Sequence, residues 1–335
     1  MNESLWEARH GWDETQHWDG RTMTAADIVQ IGSAGAHADE ELARRYAVAS
    51  VLEGPIPSDL GALAPEATVV VTSALRGITR GMIDSLPKLR AICSWGVGYD
   101  TLDVAAAREK GIAVSYTPDI LDDCVADLAW ALMLAVGRRI AEADRYVKAG
   151  AWQDVRGFPE AMRISGKRLG ILGMGRIGEA IARRGAGFDM QIGYHNRRAK
   201  DGAPGQFFDT LEGLAAWADV LVVACPGGAA TYHLVNAPVL DALGPKGILI
   251  NIARGSVVDE TALAPALQEG RLGGAGLDVF EDEPNVPAAL MGFDRVVLTP
   301  HIGSCTVDTR RAMGDLVVAN VEKALAGEPL VTPIP

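Results

Sequence analysis

The fold is decided by the segment from Gly166 to Arg198, whose sequence is GKRLGILGMGRIGEAIARRGAGFDMQIGYHNRR. An apolar run from Lys167 to Leu172 predicts a strand, and apolar residues at helical spacing from Glu179 to Phe188 predict a helix. A second strand is expected from Gln191 to Tyr194. A six-residue turn joins the first strand to the helix: Gly173, Met174, Gly175, Arg176, Ile177 and Gly178.

The three glycines of this turn have the spacing G-x-G-x-x-G, which binds the pyrophosphate of a dinucleotide when a strand precedes it and a helix follows. Gly173 allows the tight turn, Gly175 leaves room for the pyrophosphate, and Gly178 lets the helix pack close to the strand. The helix N-terminus attracts the phosphate charge. Because both strands flank the motif, we predict a dinucleotide site rather than a glycine-rich turn that binds nothing.

The residues after the second strand indicate which dinucleotide is bound. NAD sites place Asp or Glu there to hold the ribose hydroxyls, whereas NADP sites place Arg there. This strand ends in Asn196, Arg197 and Arg198, and the nearby Asp189 precedes the strand. Two arginines suit a 2′-phosphate, so we expect NADP(H) to be preferred over NAD(H). The alternative is that both arginines are solvated surface charges.

The composition excludes several classes of protein. The chain has 335 residues, with 31 Lys and Arg against 43 Asp and Glu, and its net charge of −12 speaks against nucleic-acid binding. No apolar run reaches the roughly 18 to 20 residues of a membrane span, and the acidic N-terminus does not resemble a signal peptide. The four cysteines are scattered without metal-ligand spacing, so we expect reduced thiols in the cytoplasm and no metal site.

The chain alternates strands and helices and therefore predicts an α/β fold. We expect two Rossmann-like or flavodoxin-like doubly wound parallel-sheet domains with a cleft between them. Residues 1–23 are expected to be an N-terminal extension, because residues 1–22 show no usable period and Met23 resembles a natural start. Residues 24–118 and 306–335 are assigned to a substrate-binding domain, and residues 119–305 to the dinucleotide-binding domain. One long helix over 121–149 and a second over 307–325 are expected to connect them.

Later strands of the second domain are predicted at residues 220–224, 248–251, 276–279 and 296–298. In open α/β sheets the ligand binds beyond the carboxyl ends of the strands, so the turns after these strands should face the cofactor. Three of the turns carry an ionisable side chain, namely Arg254, Glu283 and His301.

These three residue types suit the reduction of a 2-oxo acid. A guanidinium holds a carboxylate and polarises the carbonyl beside it, and a histidine that titrates near neutrality protonates the oxygen. A carboxylate behind the histidine orients its ring. Each residue alone has an ordinary structural explanation, but three at consecutive strand ends beside a dinucleotide motif predict a catalytic set.

Three of these strand ends resemble signatures of the D-2-hydroxyacid dehydrogenase family: IARG from Ile252 to Gly255, GLDVFEDEP from Gly276 to Pro284, and TPHIGS from Thr299 to Ser304. The resemblance covers nearly all of the chain from about residue 25. Two further stretches, DILDDCVADL from Asp119 and DALGPKG from Asp241, resemble the NADPH-dependent hydroxypyruvate and hydroxyphenylpyruvate reductases of the plant type.

The resemblance implies NADPH-dependent reduction of a small 2-oxo acid, of the glyoxylate or hydroxypyruvate type, to the D-2-hydroxy acid. Arg254 would bind the substrate, His301 would be the general acid/base, and Glu283 would pair with His301. The implied partner is a second copy of the chain, in a homodimer built on the long helix between the domains. Trp152 would then reach into the cleft of the partner.

The remaining site residues follow from the turns and from the resemblance. Besides the glycine turn and Asn196 to Arg198, the expected cofactor contacts are Cys225, Pro226, Thr231, Ile252, Ala253, Asp278 and Gly303, with Asp278 near the nicotinamide. Besides Arg254 and His301, the expected substrate contacts are Leu75, Arg76, Gly77, Trp95, Val97 and Gly98, the last two through backbone N–H groups on the substrate carboxylate. The loop from Gly227 to Thr231 departs from the proline-rich threonine loop of many family members, which leaves the contacts to the nicotinamide open.

Two alternatives stay open on the sequence. A non-enzymatic dinucleotide-sensing binding protein of the corepressor type can keep the catalytic set, although the chain ends at Pro335 without a partner-recruiting tail. A phosphoglycerate dehydrogenase is a related enzyme, but no additional phosphate-binding arginines and no regulatory domain stand out. Which 2-oxo acid is used and how strongly NADPH is preferred are likewise open at this point.

Overall fold

The structure is a computed structural model that describes residues 26–335. The extension predicted for residues 1–23 lies outside the described residues. The described chain forms two compact units: the first comprises residues 26–116 and Gly314–Pro335, and the second comprises Thr117–Met313. The first predicted boundary, after residue 118, lies two residues after the observed division at Tyr116. The second predicted boundary, after residue 305, lies eight residues before the observed division at Met313.

The first unit contains a five-stranded parallel sheet with the order β2-β1-β3-β4-β5. Its strands are β1 (Ile28–Ile31), β2 (Val48–Val51), β3 (Val69–Ser73), β4 (Ala91–Trp95) and β5 (Ala113–Ser115). Its helices are α1 (Ala36–Arg45), α2 (Arg80–Asp84) and α3 (Val104–Glu109), together with the later part of α10 (Val307–Leu325).

Helices cover both faces of this sheet. Neighbouring residues of a strand point to opposite faces, and both sets of side chains pack against helices. Val29 and Val70 pack in one cluster with Ile83 of α2 and Ala106 of α3. Ile28, Val69 and Val71 pack in another cluster with Leu42 of α1 and Val317 of α10. The central strands β1 and β3 are therefore mostly apolar and are buried along their whole length, as is typical of parallel sheets covered on both faces.

The second unit contains a seven-stranded parallel sheet with the order β12-β11-β10-β9-β6-β7-β8. Its strands are β6 (Arg168–Leu172), β7 (Gln191–His195), β8 (Gln206–Phe207), β9 (Val220–Val223), β10 (Ile248–Asn251), β11 (Gly274–Leu277) and β12 (Val296–Leu298). Its helices are α4 (Asp122–Gly137), α5 (Ile140–Lys148), α6 (Arg176–Gly185), α7 (Leu211–Trp217), α8 (Ala237–Leu243) and α9 (Glu260–Gln268). The α/β class with parallel sheets is confirmed.

The direction of the chain across the second sheet reverses between β6 and β9. After β6 the chain adds β7 and β8 on one side, and it then returns to add β9 to β12 on the other side. The turns that follow β6 and β9 pack tightly, since a Cβ at Gly173 would lie 2.5 Å from the backbone nitrogen of Cys225. Dinucleotides bind at such a reversal in open α/β sheets, and the glycine turn lies there.

The long helix predicted over residues 121–149 is wrong, because the structure has two helices, α4 and α5. Gly137 ends α4 against Ile164, whose Cδ1 would lie 2.5 Å from a Cβ at the glycine. Arg139 adopts the left-handed backbone conformation, with φ of 54°, and its Nε donates to Glu142 in the first turn of α5 at 2.6 Å. The break between α4 and α5 depends on the left-handed turn at Arg139 and on the packing of Ile164 against Gly137. The spacing of apolar residues in the sequence does not show either feature.

Two other predicted elements are displaced. The strand predicted at 276–279 spans Gly274–Leu277, so Asp278 follows β11 rather than lying in it. The helix predicted from Glu179 begins at Arg176, directly after the glycine turn, and Ala186–Phe188 form a separate 3-10 turn. None of the helices within residues 26–335 has the length and apolar character needed to cross a membrane.

Candidate active site

The glycine turn after β6 has the geometry that the motif predicts. Gly173 has a φ of 100°, which favours glycine. A Cβ at Gly178 would lie 2.3 Å from the carbonyl oxygen of Gly173, so only glycine lets α6 begin this close to the turn. A Cβ at Gly175 would meet no described protein atom within 4 Å. The turn is therefore closed on the protein side and open beside Gly175.

The N-terminus of α6 is available to an anion. Gly175 is its N-cap, and no side chain of the described residues caps the first turn, although helix starts carry backbone N–H groups without intrahelical partners. The side chain of Arg176 pairs instead with Asp119 at 3.2 Å and with Asp122 at 3.4 Å. Met174, at the base of the turn, is buried. The candidate anion-binding groups here are thus the backbone N–H groups at the start of α6, since the N–H of Met174 already donates to Asn196.

Asn196 and the two arginines that follow it have different surroundings. The side-chain oxygen of Asn196 accepts from the backbone N–H of Met174 at 2.7 Å, so Asn196 holds the glycine turn against the end of β7. Arg197 and Arg198 are exposed, and neither forms an ion pair or hydrogen bond with any residue of the described chain. Asp189 lies in the turn before β7 with a left-handed φ of 53°. The position next to the glycine turn is therefore cationic.

The loop after β9 lies beside the glycine turn. Cys225 is buried, which raises the pKa of its thiol to about 11 and keeps it neutral. Pro226 is exposed and Gly228 has a φ of 117°. The hydroxyl of Thr231 donates to the carbonyl oxygens of Pro226 at 2.8 Å and of Gly228 at 3.1 Å, which closes the loop on itself.

The turn after β10 presents Arg254. The buried side chain of Asn251 accepts from the N–H of Ala253 at 3.1 Å and donates to the carbonyl oxygen of Arg254 at 2.9 Å, which fixes the turn. Ile252 and Ala253 are buried, whereas Arg254 is half-buried. At Gly255 a Cβ would lie 1.8 Å from the carbonyl carbon of Phe280, so glycine alone permits this turn to touch the loop after β11.

Asp278 organises the turn that carries His301. The side chain of Asp278 is 1% exposed, and its oxygens accept from the hydroxyl of Thr299 at 2.7 Å and from the N–H groups of Ile302 and Gly303, each at 2.8 Å. Burial raises the pKa of this carboxyl despite these bonds. The carbonyl oxygen of Asp278 also accepts from the N–H of His301 at 2.8 Å. Asp278 thus holds both sides of the turn, and its predicted place near the nicotinamide stays a prediction.

His301 and Glu283 form the pair that the sequence predicts. Nδ1 of His301 lies 2.8 Å from Oε2 of Glu283, and the carboxylate can only accept, so Nδ1 carries the proton. The other glutamate oxygen accepts from the N–H of Phe280 at 3.1 Å. Burial raises the pKa of the Glu283 carboxyl, but the bond to His301 and the charges of His301 and Arg254 hold it below its usual value. The pair is therefore an ionised carboxylate behind an imidazole.

Arg254, Glu283 and His301 thus share the carboxyl edge of the second sheet. The charge of Arg254 acts on Glu283, and Nη1 of Arg254 donates to the carbonyl oxygen of Ala253 at 2.7 Å. Nε2 of His301 has no hydrogen-bond partner within residues 26–335, and the side chain is 31% exposed. The arrangement places an imidazole nitrogen and a guanidinium on one edge of the sheet.

The predicted substrate residues lie at the carboxyl edge of the first sheet. Leu75 is 62% exposed, and Arg76 donates through Nη2 to the carbonyl oxygen of Gly54 at 2.7 Å. Gly77 has a φ of 67° and its backbone packs against Thr101. The residues Trp95, Val97 and Gly98, at the end of β4 and in the loop after it, are partly exposed. The loops after β3 and β4 are joined, since the hydroxyl of Thr101 donates to Ala74 at 2.7 Å.

Three further residues on the edge of the second sheet were not among the predicted site residues: Asn251, His233 and Glu281. Asn251 ends a predicted strand, and a polar residue in a buried strand signals a local hydrogen-bonding role. His233 and Glu281 are far apart in the chain but are in contact, with Nε2 and Oε2 3.1 Å apart. Glu281 lies within the family signature GLDVFEDEP, so the resemblance could have indicated a role for this residue.

Comparison with known proteins gives one consistent result. The model of the D-isomer specific 2-hydroxyacid dehydrogenase, NAD binding domain, matches residues 130–303. The chain is 47% identical over 313 residues to a hydroxyphenylpyruvate reductase of Plectranthus scutellarioides, which covers 93% of this chain and 100% of that one. It is 50% identical over 265 residues to a glyoxylate/hydroxypyruvate reductase of Arabidopsis thaliana, which covers 79% of this chain and 84% of that one.

The solved structures agree with the sequences. An NADPH-dependent glyoxylate/hydroxypyruvate reductase of Sinorhizobium meliloti, crystallised with NADP and malonate, matches with a TM-score of 0.85 and 39% identity over 92% of this chain and 97% of that one. A 2-hydroxyacid dehydrogenase of Ketogulonicigenium vulgare matches with a TM-score of 0.84 and 42% identity over 93% of this chain and 99% of that one. The chain therefore belongs to the D-isomer specific 2-hydroxyacid dehydrogenase family and is an NAD(P)-dependent enzyme.

Proposed function

We propose that the protein reduces a small 2-oxo acid of the glyoxylate or hydroxypyruvate type to the D-2-hydroxy acid, with NADPH as reductant and His301 as general acid. The observation that carries the proposal is the 2.8 Å contact between His301 and Glu283 at the carboxyl edge of the sheet that bears the glycine turn. The reductases of Arabidopsis thaliana and Sinorhizobium meliloti support the substrate class by their names.

The residues around the glycine turn fit a dinucleotide. Gly175 leaves open space beside the uncapped start of α6, where backbone N–H groups suit a pyrophosphate. The proposed contacts on the nicotinamide side come from the loop after β9, with Cys225, Pro226 and Thr231. When bound, the reduced nicotinamide supplies a hydride to the carbonyl carbon of the substrate.

His301 delivers the proton in this proposal. Because Nδ1 donates to Glu283, Nε2 is the nitrogen that gives its proton to the substrate oxygen. The ionised carboxylate of Glu283 stabilises the imidazolium before the transfer and keeps the ring oriented. Asp278 fixes the backbone of the turn, so that the position of Nε2 does not depend on the side-chain pair alone.

Arg254 and two backbone groups are proposed to hold the substrate. The guanidinium of Arg254 would grip the carboxylate and polarise the adjacent carbonyl. The half-buried position of this side chain strengthens such a contact, since a lower local dielectric strengthens charge interactions. The N–H groups of Val97 and Gly98, in the loop after β4, would take the carboxylate as well.

A preference for NADPH is proposed from Arg197 and Arg198. Both are exposed and without partners in the described chain, and they follow the strand end at which NAD enzymes place a carboxylate. The NADPH-dependent relative from Sinorhizobium meliloti is consistent with this choice.

A homodimer is proposed from the surface of α5 and the segment after it. Helix α5 has no buried residue within the chain, and Ile140, Val147, Trp152 and Val155 are exposed, the last at 83%. Ile140 and Val147 are seven positions apart and so lie on one face of α5, and an exposed apolar helix face is typical of an interaction surface. Because α4 and α5 are separate helices, the proposed contact surface is α5 with residues 149–155, rather than one long helix.

Steady-state rates with NADPH on glyoxylate, hydroxypyruvate, 2-ketogluconate and hydroxyphenylpyruvate test the proposed activity. We expect glyoxylate and hydroxypyruvate to give the highest kcat/KM. A preference for hydroxyphenylpyruvate would reassign the substrate class, and turnover of none of the four with either NADPH or NADH would contradict the proposed reaction.

A further inference from the structure

A second histidine–carboxylate pair lies on the carboxyl edge of the second sheet, and the roles proposed above do not use it. Nε2 of His233 lies 3.1 Å from Oε2 and 3.2 Å from Oε1 of Glu281. The hydroxyl of Tyr232 donates to Oε1 at 3.0 Å, and the rings of Tyr232 and His233 stack at 3.8 Å with an interplanar angle of 15°. Both oxygens of Glu281 are therefore held by the loop after β9.

Glu281 itself belongs to the loop after β11 and is also tied to the loop after β10. Its backbone N–H donates to Oε1 of Glu260, the first residue of α9, at 3.0 Å. Gly255 lies against the same backbone, since its Cβ would be 2.2 Å from the nitrogen of Glu281. The N–H of His233 donates to the carbonyl oxygen of Ser256 at 2.9 Å. Three loops thus meet at Glu281.

Each of these loops carries a residue of the proposed reaction. Thr231 directly precedes Tyr232, Arg254 directly precedes Gly255, and Glu283 follows Glu281 by two positions. A shift of the Glu281 side chain would release the loop after β9 and loosen the segment that presents Glu283 to His301.

The backbone of His233 indicates that its position is enforced. It adopts a left-handed conformation with φ of 49°, which is unfavourable for a residue other than glycine and persists only where the surrounding contacts fix it. The contacts that fix it here are the ring stacking on Tyr232, the bond to Glu281 and the backbone bond to Ser256.

We propose that Glu281, held by His233 and Tyr232, is a positioning residue that fixes the nicotinamide-side loop after β9 against the segment that carries Glu283. This inference rests on the proposed function for the identity of the nicotinamide-side loop. Glu281 does not act on the substrate itself, and its effect passes through Thr231 and Glu283.

The test compares two ligands that differ only in their nicotinamide half. Adenosine 2′,5′-bisphosphate reaches the glycine turn and the arginines, whereas NADPH also reaches the loop after β9. In Glu281→Ala we expect NADPH to bind about 10-fold more weakly, as the loss of hydrogen bonds to a charged group implies, with the affinity for the bisphosphate unchanged. The kcat should fall as well, because Glu283 is less firmly placed.

Two further variants separate positioning from loss of stability. Glu281→Gln should restore NADPH binding, since a single amide oxygen at the place of Oε1 accepts from both Tyr232 and His233. His233→Gly removes the side chain that contacts Glu281, while glycine adopts the left-handed backbone of this position without strain. This variant should therefore weaken NADPH binding as Glu281→Ala does. It replaces Glu281→Ala in the test if Glu281→Ala does not fold. His37→Ala removes a comparable pair in the first unit, with Asp315 at 2.6 Å, and should leave both affinities unchanged.

The outcomes are distinct. A Glu281→Ala enzyme with a lower Tm but wild-type NADPH affinity and kcat would show a structural role only and overturn the inference. Equal weakening of NADPH and the bisphosphate would also overturn it. The affinities for NADH and AMP are measured in parallel. If the wild type does not prefer NADPH over NADH, the proposed cofactor preference is wrong. The role of Glu281 is still decided, because NADH and AMP also differ by the nicotinamide half.

Discussion

Nδ1 of His301 lies 2.8 Å from Oε2 of Glu283, and the two residues reach this contact from the ends of different strands. Glu283 comes from the loop after β11, and His301 comes from the turn after β12. The backbone of His301 is left-handed, with φ of 52°, and is held by Asp278 through the turn on either side. The direction of the imidazole is therefore set by the fold before any ligand binds.

Asp278 should be needed for the placement of His301. Its carboxylate accepts three hydrogen bonds, and Asn replaces one acceptor with an N–H₂ group that faces a donor. Asp278→Asn should therefore lower the free energy of unfolding by about 1 to 3 kcal/mol and reduce kcat, while NADPH still binds. Denaturant unfolding measures the free energy of unfolding of the variant, and steady-state kinetics measure its kcat. If both values matched those of the wild type, this role of Asp278 would be contradicted.

The pH dependence of stability gives a second test of Asp278. Because burial raises the pKa of this carboxyl, the folded protein holds the proton more tightly than the unfolded chain. Its contribution to stability is then complete below the ordinary value of about 3.9 and is lost as the pH rises through the raised folded value. The stability advantage of wild type over Asp278→Asn should thus shrink between pH 4 and neutrality, as measured by unfolding at each pH. An advantage that grew over this range would reverse the sign of the shift.

Short sequence patterns predict those parts of the site whose shape is set by consecutive residues of the chain. The glycine turn and the strand ends with Arg254 and His301 follow from spacing, because the turn requires glycine at fixed positions and parallel strands end at one edge. The packing of Gly137 at the end of α4 against Ile164 and the contact of His233 with Glu281 depend on residues that are distant in the chain. Neither has a period or a motif, so only the folded chain shows them.

Arg197 and Arg198 should determine the choice of cofactor. A charge-assisted hydrogen bond contributes about 1.5 to 3 kcal/mol, so wild type should favour NADPH over NADH by roughly 10- to 1,000-fold, and salt should reduce the ratio. The double variant Arg197→Ala, Arg198→Ala should lose this preference mainly through a higher KM for NADPH. Equal use of both cofactors by the wild type would leave the arginines as surface charges.

The exposed apolar face of α5 should mediate self-association. Ile140→Asp and Val147→Asp together place charges on two exposed side chains, so the fold should be retained while the dimer dissociates. Light scattering after size exclusion measures the mass against the 35.4 kDa of one chain. A wild type of that mass would contradict the proposed homodimer.

The most direct test of the proposed chemistry is the rate of hydroxypyruvate reduction by His301→Asn, measured together with the dissociation constant of NADPH. Asparagine tolerates the left-handed backbone of this position but supplies no titratable proton. Loss of general acid catalysis should lower kcat by about 10²- to 10⁴-fold, with NADPH binding unchanged. A variant that kept half of the wild-type rate would contradict the assignment of His301 as the proton donor.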